Sequence, residues 1–245
     1  MEKEIYMIII EEGGAKMPKI NRSNISVVIR TRNEERWIGH TIQSLLDHLI
    51  QPEIIIVDNN STDNTLYLVK NFIQDPKINS NSSSNYTKIK LININNYTPG
   101  KALNLGVKKS TNKYIMFISA HCVLNKIDLQ NHIKNLKKYC CVFGNQIPIW
   151  EGKKISKRYI WSHFGNKKVQ NMYSKLEDRY FLHNALAIYN KKILKLHPFD
   201  EYLTGKEDRY WANEIINKKL NYLYDPSLEA FHHYTVNGQT WKGLG

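Results

Sequence analysis

The sequence has no long apolar run. Its longest, Tyr6 to Ile10, Ile54 to Val57 and Tyr114 to Ile118, are strand-sized, far short of the roughly 20 residues a membrane-crossing helix needs. A leader pattern is missing as well: the chain opens Met-Glu-Lys-Glu, Glu11 and Glu12 end the first apolar run, and no small-residue cleavage site follows, so a cytoplasmic location is expected. Cysteine is scarce. Cys122, Cys140 and Cys141 are odd in number and lack paired ligand spacing, which excludes a disulfide framework and a zinc ribbon and leaves buried thiols. Acidic residues are also in short supply, 22 against 35 basic ones, for a formal charge of +13. That balance favours an anionic partner such as a nucleotide or a phospholipid surface. No compact basic motif with interleaved aromatics is present, so nucleic acid is not expected.

What is there is 42% hydrophobic residues in a chain of 245, enough for one α/β domain with a buried core. Residues 1–24 hold one potential strand, Ile5 to Ile10, and then Gly13, Gly14 and Pro18, which reads as an N-terminal extension before a single domain over 25–245. From Ile25 short β-rich runs alternate with amphipathic stretches. Strands are expected at Ile25 to Ile29, Glu53 to Val57, Lys88 to Ile94 and Tyr114 to Ile118, and the regularity weakens after Val142 to Pro148. Helices are expected at Trp37 to Ile50, Thr62 to Ile73, Gly100 to Lys109 and Asp128 to Lys138. Residues 75–87 are polar, rich in Ser and Asn, and read as a surface loop. Such alternation builds a mainly parallel sheet flanked by helices. Ligands of open α/β sheets bind where the strands end, and three polar clusters stand there: Arg30 to Arg36, Asp58 to Asp63, and Ser119 to His121.

Three segments together, Thr31-Arg32-Asn33-Glu34, Val57-Asp58-Asn59-Asn60-Ser61-Thr62-Asp63 and Gly100-Lys101-Ala102-Leu103-Asn104-Leu105-Gly106, give the chain a resemblance to family 2 glycosyltransferases over residues 25 to 235. The resemblance implies a GT-A fold, a mixed and mainly parallel Rossmann-like sheet between helices. It implies that Thr31, Asn33, Glu34, Lys101 and Ser119 border a nucleotide-sugar site and that the Asp58 carboxylate accepts a hydrogen bond from the base. A nucleobase N–H is a fitting donor to a buried carboxylate.

In that family Phe117 to Cys122 is the place of an Asp-x-Asp motif that holds a divalent cation. Here Ser119 and His121 stand at the two acidic positions. Imidazole is a competent ligand for later transition metals, so His121 points to Mn²⁺ over Mg²⁺. The late pair His232-His233 is expected to complete the metal or diphosphate shell through one member, because neighbours on a strand face opposite ways. Glu207-Asp208 opens a helix where inverting members of the family keep their base, which makes Asp208 the expected base and Glu207 its supporting acceptor, with exchange of the two left open. Asn184 and Trp211 are expected near the acceptor.

The implied activity is inverting transfer of a sugar from a nucleoside diphosphate to a hydroxyl of a glycan or lipid-linked glycan, in surface-glycan or polysaccharide synthesis, with contact to the inner membrane face. A non-catalytic nucleotide-sugar binder is the alternative that the missing acidic pair suggests. A sugar-phosphate nucleotidyltransferase fits less well, because the turn after the first strand has no glycine-rich phosphate loop.

Overall fold

A computed structural model describes residues 23–78 and 87–242. The extension at 1–24, all but its last two residues, and most of the Ser/Asn-rich loop lie outside them. The elements follow as β1 (Ile25–Thr31), α1 (Ile38–His48), β2 (Glu53–Asp58), α2 (Thr65–Gln74), β3 (Lys88–Asn93), α3 (Pro99–Lys109), β4 (Tyr114–Ser119), β5 (Cys122–Lys126), α4 (Leu129–Asn135) and β6 (Cys141–Trp150). Next come three two-residue strands, β7 (Lys153–Lys154), β8 (Val169–Gln170) and β9 (Tyr173–Ser174), and a fourth, β10 (Arg179–Tyr180). The chain then forms β11 (Leu186–Asn190), α5 (Lys191–Leu196), α6 (Glu207–Asn217) and β12 (Leu223–His233).

The main sheet runs β3-β2-β1-β4-β11-β6-β12-β5. Its first four strands are parallel. β11 runs against both β4 and β6, while β12 lies parallel to β6 and antiparallel to β5. Alternation along β1 divides the core. Val27 and Ile29 face Ile38, Ile42 and Leu45 of α1, whereas Val28 faces Ala102, Leu103 and Val107 of α3. At Gly106 α3 approaches β1 so closely that a Cβ would lie 2.9 Å from Val28 Cγ2.

The expected helices are present, with ends shifted by up to three residues. α2 starts three residues later than its apolar spacing suggests because the Asp63 carboxylate accepts from Thr65 N at 3.0 Å, holding a turn before the first helical residue. α4 ends at Asn135 instead of Lys138. Since β2 and β3 lie on one side of β1 and β4 on the other, the chain reverses its winding between β1 and β4, and a crevice opens beyond their carboxyl ends.

Candidate active site

A cleft of about 770 Å³ occupies that crevice, lined by Arg30 to Glu34, Asn59, Tyr97, Pro99, Ser119 to His121, His183, Thr204 to Arg209 and Asn237 to Thr240. The turns after β1 and β2 are stitched to each other. Asn33 N donates to Ser61 Oγ at 2.9 Å, Thr62 N to Asn33 Oδ1 at 2.7 Å, and Glu34 N to Thr65 Oγ1 at 2.7 Å. Asn33 turns the chain in the left-handed region, φ 53°, which asparagine tolerates. Asp58 anchors the second turn from below, accepting from Ser61 N at 2.9 Å and Ser61 Oγ at 2.5 Å. It is buried, and its neighbour Asn59 reaches the cleft. Thr31 Oγ1 is buried at the cleft without a hydrogen-bond partner among the described residues.

The opposite wall comes from α6. Lys206, with φ 60°, starts the helix and leaves Glu207 and Asp208 in its first turn, where the helix dipole favours anions. Glu207 Oε1 accepts from Arg30 at 2.8 Å. Burial works to lower the Arg30 pKa, but the Glu207 carboxylate outweighs it and the pKa is raised. Asp208 Oδ2 accepts from Asn184 N at 2.9 Å, and its Oδ1 from Arg209 N and Nη1, both at 2.9 Å. Burial pushes the Asp208 carboxyl up, yet the Arg209 guanidinium, with smaller help from His183 and the Asn184 amide, holds it below the ordinary carboxylate range. Arg209, itself buried, lies 3.5 Å from Glu177 and over the Phe181 ring.

Between the walls runs a chain of side chains whose proton positions can be deduced. Ala185 N–H can only donate, and it points at His183 Nδ1 (3.3 Å), so that nitrogen is an acceptor. The Gln146 amide therefore presents Nε2 to His183 (2.9 Å) and Oε1 to His232 Nδ1 (2.8 Å), which must carry the hydrogen. Burial drives the His232 pKa well below its usual value, leaving a neutral ring whose bare Nε2 faces His121 Nε2 at 3.1 Å. His121 Nδ1 lies 3.0 Å from Glu34 Oε1. Two ring nitrogens thus face each other at 3.1 Å, an arrangement satisfied either by a proton on His121 Nε2 or by a metal ion held by both rings.

The spacing fits a metal ion. Two imidazoles bound at about 2.1 Å and at a right angle place their nitrogens about 3 Å apart, and each ring is fixed through its other nitrogen, as metal-binding histidines are. No group of three or more His, Cys, Asp or Glu side chains converges among the described residues, so an ion held by this pair would complete its shell from elsewhere.

Other expected residues stand apart from the cleft. His233, on the other face of β12, stacks on Trp37 at 3.9 Å, and burial pushes its pKa down to about 4. Trp211 is buried in the core, where its Nε1 donates to His197 O at 2.8 Å and its ring meets Tyr189 and Phe199, because the i+3 position of α6 faces the sheet. Asn184 lies behind Asp208, with Oδ1 accepting from Tyr189 and Nδ2 without a partner among the described residues. Lys101 borders a neighbouring groove with Thr98 and Glu201, while Tyr97 and Pro99 reach the cleft from the same stretch. Sequence placed Arg30 in the polar cluster after β1 without a role of its own and did not single out Arg209, Gln146 and Asn237; of these three only Arg209 carried a signal, as a cation directly beside the acidic pair.

Residues 26–197 match the family model described as glycosyl transferase family 2. A GalNAc(5)-diNAcBac-PP-undecaprenol beta-1,3-glucosyltransferase of Campylobacter jejuni is 25% identical over 236 residues, covering 94% of this chain and 68% of that protein. Among solved structures, a Pyrobaculum calidifontis mannosyltransferase in complex with GDP-Man and Mn²⁺ superposes with a TM-score of 0.66 at 18% identity, covering 91% of this chain and 61% of that one. Staphylococcus aureus TarS in complex with UDP-GlcNAc gives 0.65 at 20%, covering 87% and 59%. The two structures establish a GT-A fold, and this chain spans about three fifths of each.

Proposed function

This chain belongs to glycosyl transferase family 2, and from that premise we propose that it passes a hexose-type sugar from a nucleoside diphosphate to a hydroxyl acceptor with inversion at the anomeric carbon. The observation that carries the reading is the placement of the Asp208 carboxylate, held below the ordinary carboxylate range, across one cleft from His121, behind which the buried His232 stands with its Nε2 3.1 Å from that of His121.

The nucleotide lies against Thr31, Asn33, Glu34 and Ser119, with Lys101 at the edge. The unpartnered Thr31 Oγ1 is free for a ribose or base contact, and the lone pairs Asp58 does not use on Ser61 are free for a base N–H. A sugar hydroxyl has a pKa far above neutrality and must lose its proton as it attacks. Asp208, which lines the cleft, takes that proton, while Glu207 stays paired with Arg30 and Asn184 N keeps the carboxylate oriented. His121 and His232, with oxygens of the donor, would hold a divalent cation, which would supply positive charge to the departing diphosphate. Two imidazoles without a carboxylate favour Mn²⁺ over Mg²⁺.

The acceptor is a glycan, and in view of the Campylobacter relative a lipid-linked one, reached at the inner face of a membrane. Among the described residues no helix is long and apolar enough to cross that membrane. The test is a panel of nucleotide sugars scored for thermal stabilisation and slow hydrolysis. One donor should raise the melting temperature by mass action and be hydrolysed in the presence of Mn²⁺. Stabilisation without hydrolysis or transfer for any donor would make the protein a binder.

A further inference from the structure

Beside the cleft, nine consecutive residues, 151–159, are all exposed. They begin with a two-residue turn, Glu151 (φ 46°) and Gly152 (φ 76°), that closes the hairpin of β6 and β7. From Trp150 to Tyr159 the sequence carries four basic residues, Lys153, Lys154, Lys157 and Arg158, against Glu151 alone. No carboxylate pairs with any of the four among the described residues. Lys157 turns inward to Asn145 and Phe164 O, and Lys154 stands over Phe231. Lys153 and Arg158 have no such engagement.

Interleaved with these cations are large apolar side chains on the outside: Trp150 at 42% exposure, Ile155 at 37% and Tyr159 at 78%. Tyr159 is the sharpest of them. It holds a left-handed backbone, φ 50°, which a bulky residue adopts at a cost, and its ring gains no burial in return. Val236, 67% exposed, adds to this side. It lies two residues beyond Tyr234, whose ring packs on Trp150 at 4.2 Å, and one before the stretch Asn237 to Thr240 that lines the cleft. Exposed aromatic and aliphatic groups among unpaired cations are the chemistry of an interface with anionic lipid. Cations are drawn by the surface charge, and Trp and Tyr settle at headgroup depth.

We propose that the hairpin around Trp150–Tyr159, with Val236, docks this protein on an anionic phospholipid bilayer and so brings the cleft to the plane in which a lipid-linked acceptor lies. The proposal rests on the reading of glycosyl transfer to such an acceptor. Charge and apolar insertion both contribute, so binding should fall with salt and with loss of either component.

The experiment is co-sedimentation of the full chain with vesicles of phosphatidylglycerol and phosphatidylcholine in about a 1:2 ratio, and with phosphatidylcholine alone. Binding to the anionic vesicles only is expected, weakened about tenfold or more by Lys153→Glu with Arg158→Glu, and clearly weakened by Ile155→Ser with Tyr159→Ser. Donor hydrolysis in vesicle-free buffer should be unchanged in both variants, which separates this proposal from the catalytic one: hydrolysis without vesicle binding sinks the docking surface alone, and vesicle binding without hydrolysis sinks the catalytic reading alone. Equal binding by the charge-reversed variant overturns the assignment. So does a serine variant that binds as the parent does, since that marks a site for polyanions in general.

Discussion

Asp208 accepts three hydrogen bonds, two of them from Arg209, so the environment of the carboxylate is set by the residue next to it. Asp208→Asn should lower transfer by about a hundredfold or more with donor affinity nearly intact. Glu207→Gln should cost less, and the reverse ranking in kcat would exchange their roles. Because the folded-state pKa of Asp208 is depressed, kcat/KM should hold at mildly acidic pH and fall only below the ordinary carboxylate range. Arg209→Met removes the opposing charge and leaves burial, so the acid limb should move to higher pH, and Arg209→Lys should return most of it. A limb unmoved in the methionine variant would mean that Asp208 is not the titrating group.

The histidine pair provides a second test at this scale. Calorimetry should detect Mn²⁺ poorly on the protein alone and well with nucleoside diphosphate present, since the protein supplies two ligands. His232→Ala should abolish that binding and His233→Ala should spare it. The sequence brought both histidines into view but could not choose between them. The choice depends on which face of β12 meets Gln146 and His121, 86 and 111 residues away in the chain. Asp58 illustrates the converse. A carboxylate at a strand end is legible, whereas its engagement by Ser61 follows from the local turn and not from the motif's spacing alone.

At the scale of elements, the helices of the first half were legible because each has one buried face. Ile38, Ile42 and Leu45 of α1 are all fully buried, as are Ala102 and Leu103 of α3. Several sheet strands were not assigned, β5 and β11 among them. β5 is five residues long and ends in Asn125 and Lys126, so its alternation is too short to register. β11 is buried through Tyr189 on both faces, and a short run without periodicity cannot be told from a helix segment. Packing between α3 and β1 yields a prediction of its own. Gly106→Ala places a methyl group against Val28, and overpacking of this kind should destabilise the fold by about 1–3 kcal/mol, read as a lowered denaturant midpoint with the slope unchanged. A neutral result would mean that α3 can shift away from the sheet.

For the whole molecule, acid is the expected weak point. Burial pushes the His183 pKa down to about 3 and lowers that of His132, with neighbouring Asp225 and Asp128 opposing the latter shift. The unfolded chain takes up protons near pH 6.5 at sites the folded one keeps neutral. Stability should therefore be full above that pH and decline below it, by up to about 1.4 kcal/mol per pH unit for each such histidine. The melting temperature should fall between pH 7.5 and 5.5, values chosen to bracket a pKa of about 6.5. His132, whose ring nitrogens both lack a hydrogen-bond partner among the described residues, makes the source checkable: His132→Leu should flatten the slope.

The three thiols have a use that follows from where they lie. Cys122, Cys140 and Cys141 are all buried, and burial raises their pKa, that of Cys140 to about 12. An alkylating reagent added to the native protein should thus find no thiolate, and its rate of incorporation becomes a clock for opening of the sheet. Cys122 adjoins His121. Protection of that single thiol by a nucleotide would register donor binding by mass spectrometry in unpurified mixtures, with neither a label nor a known acceptor.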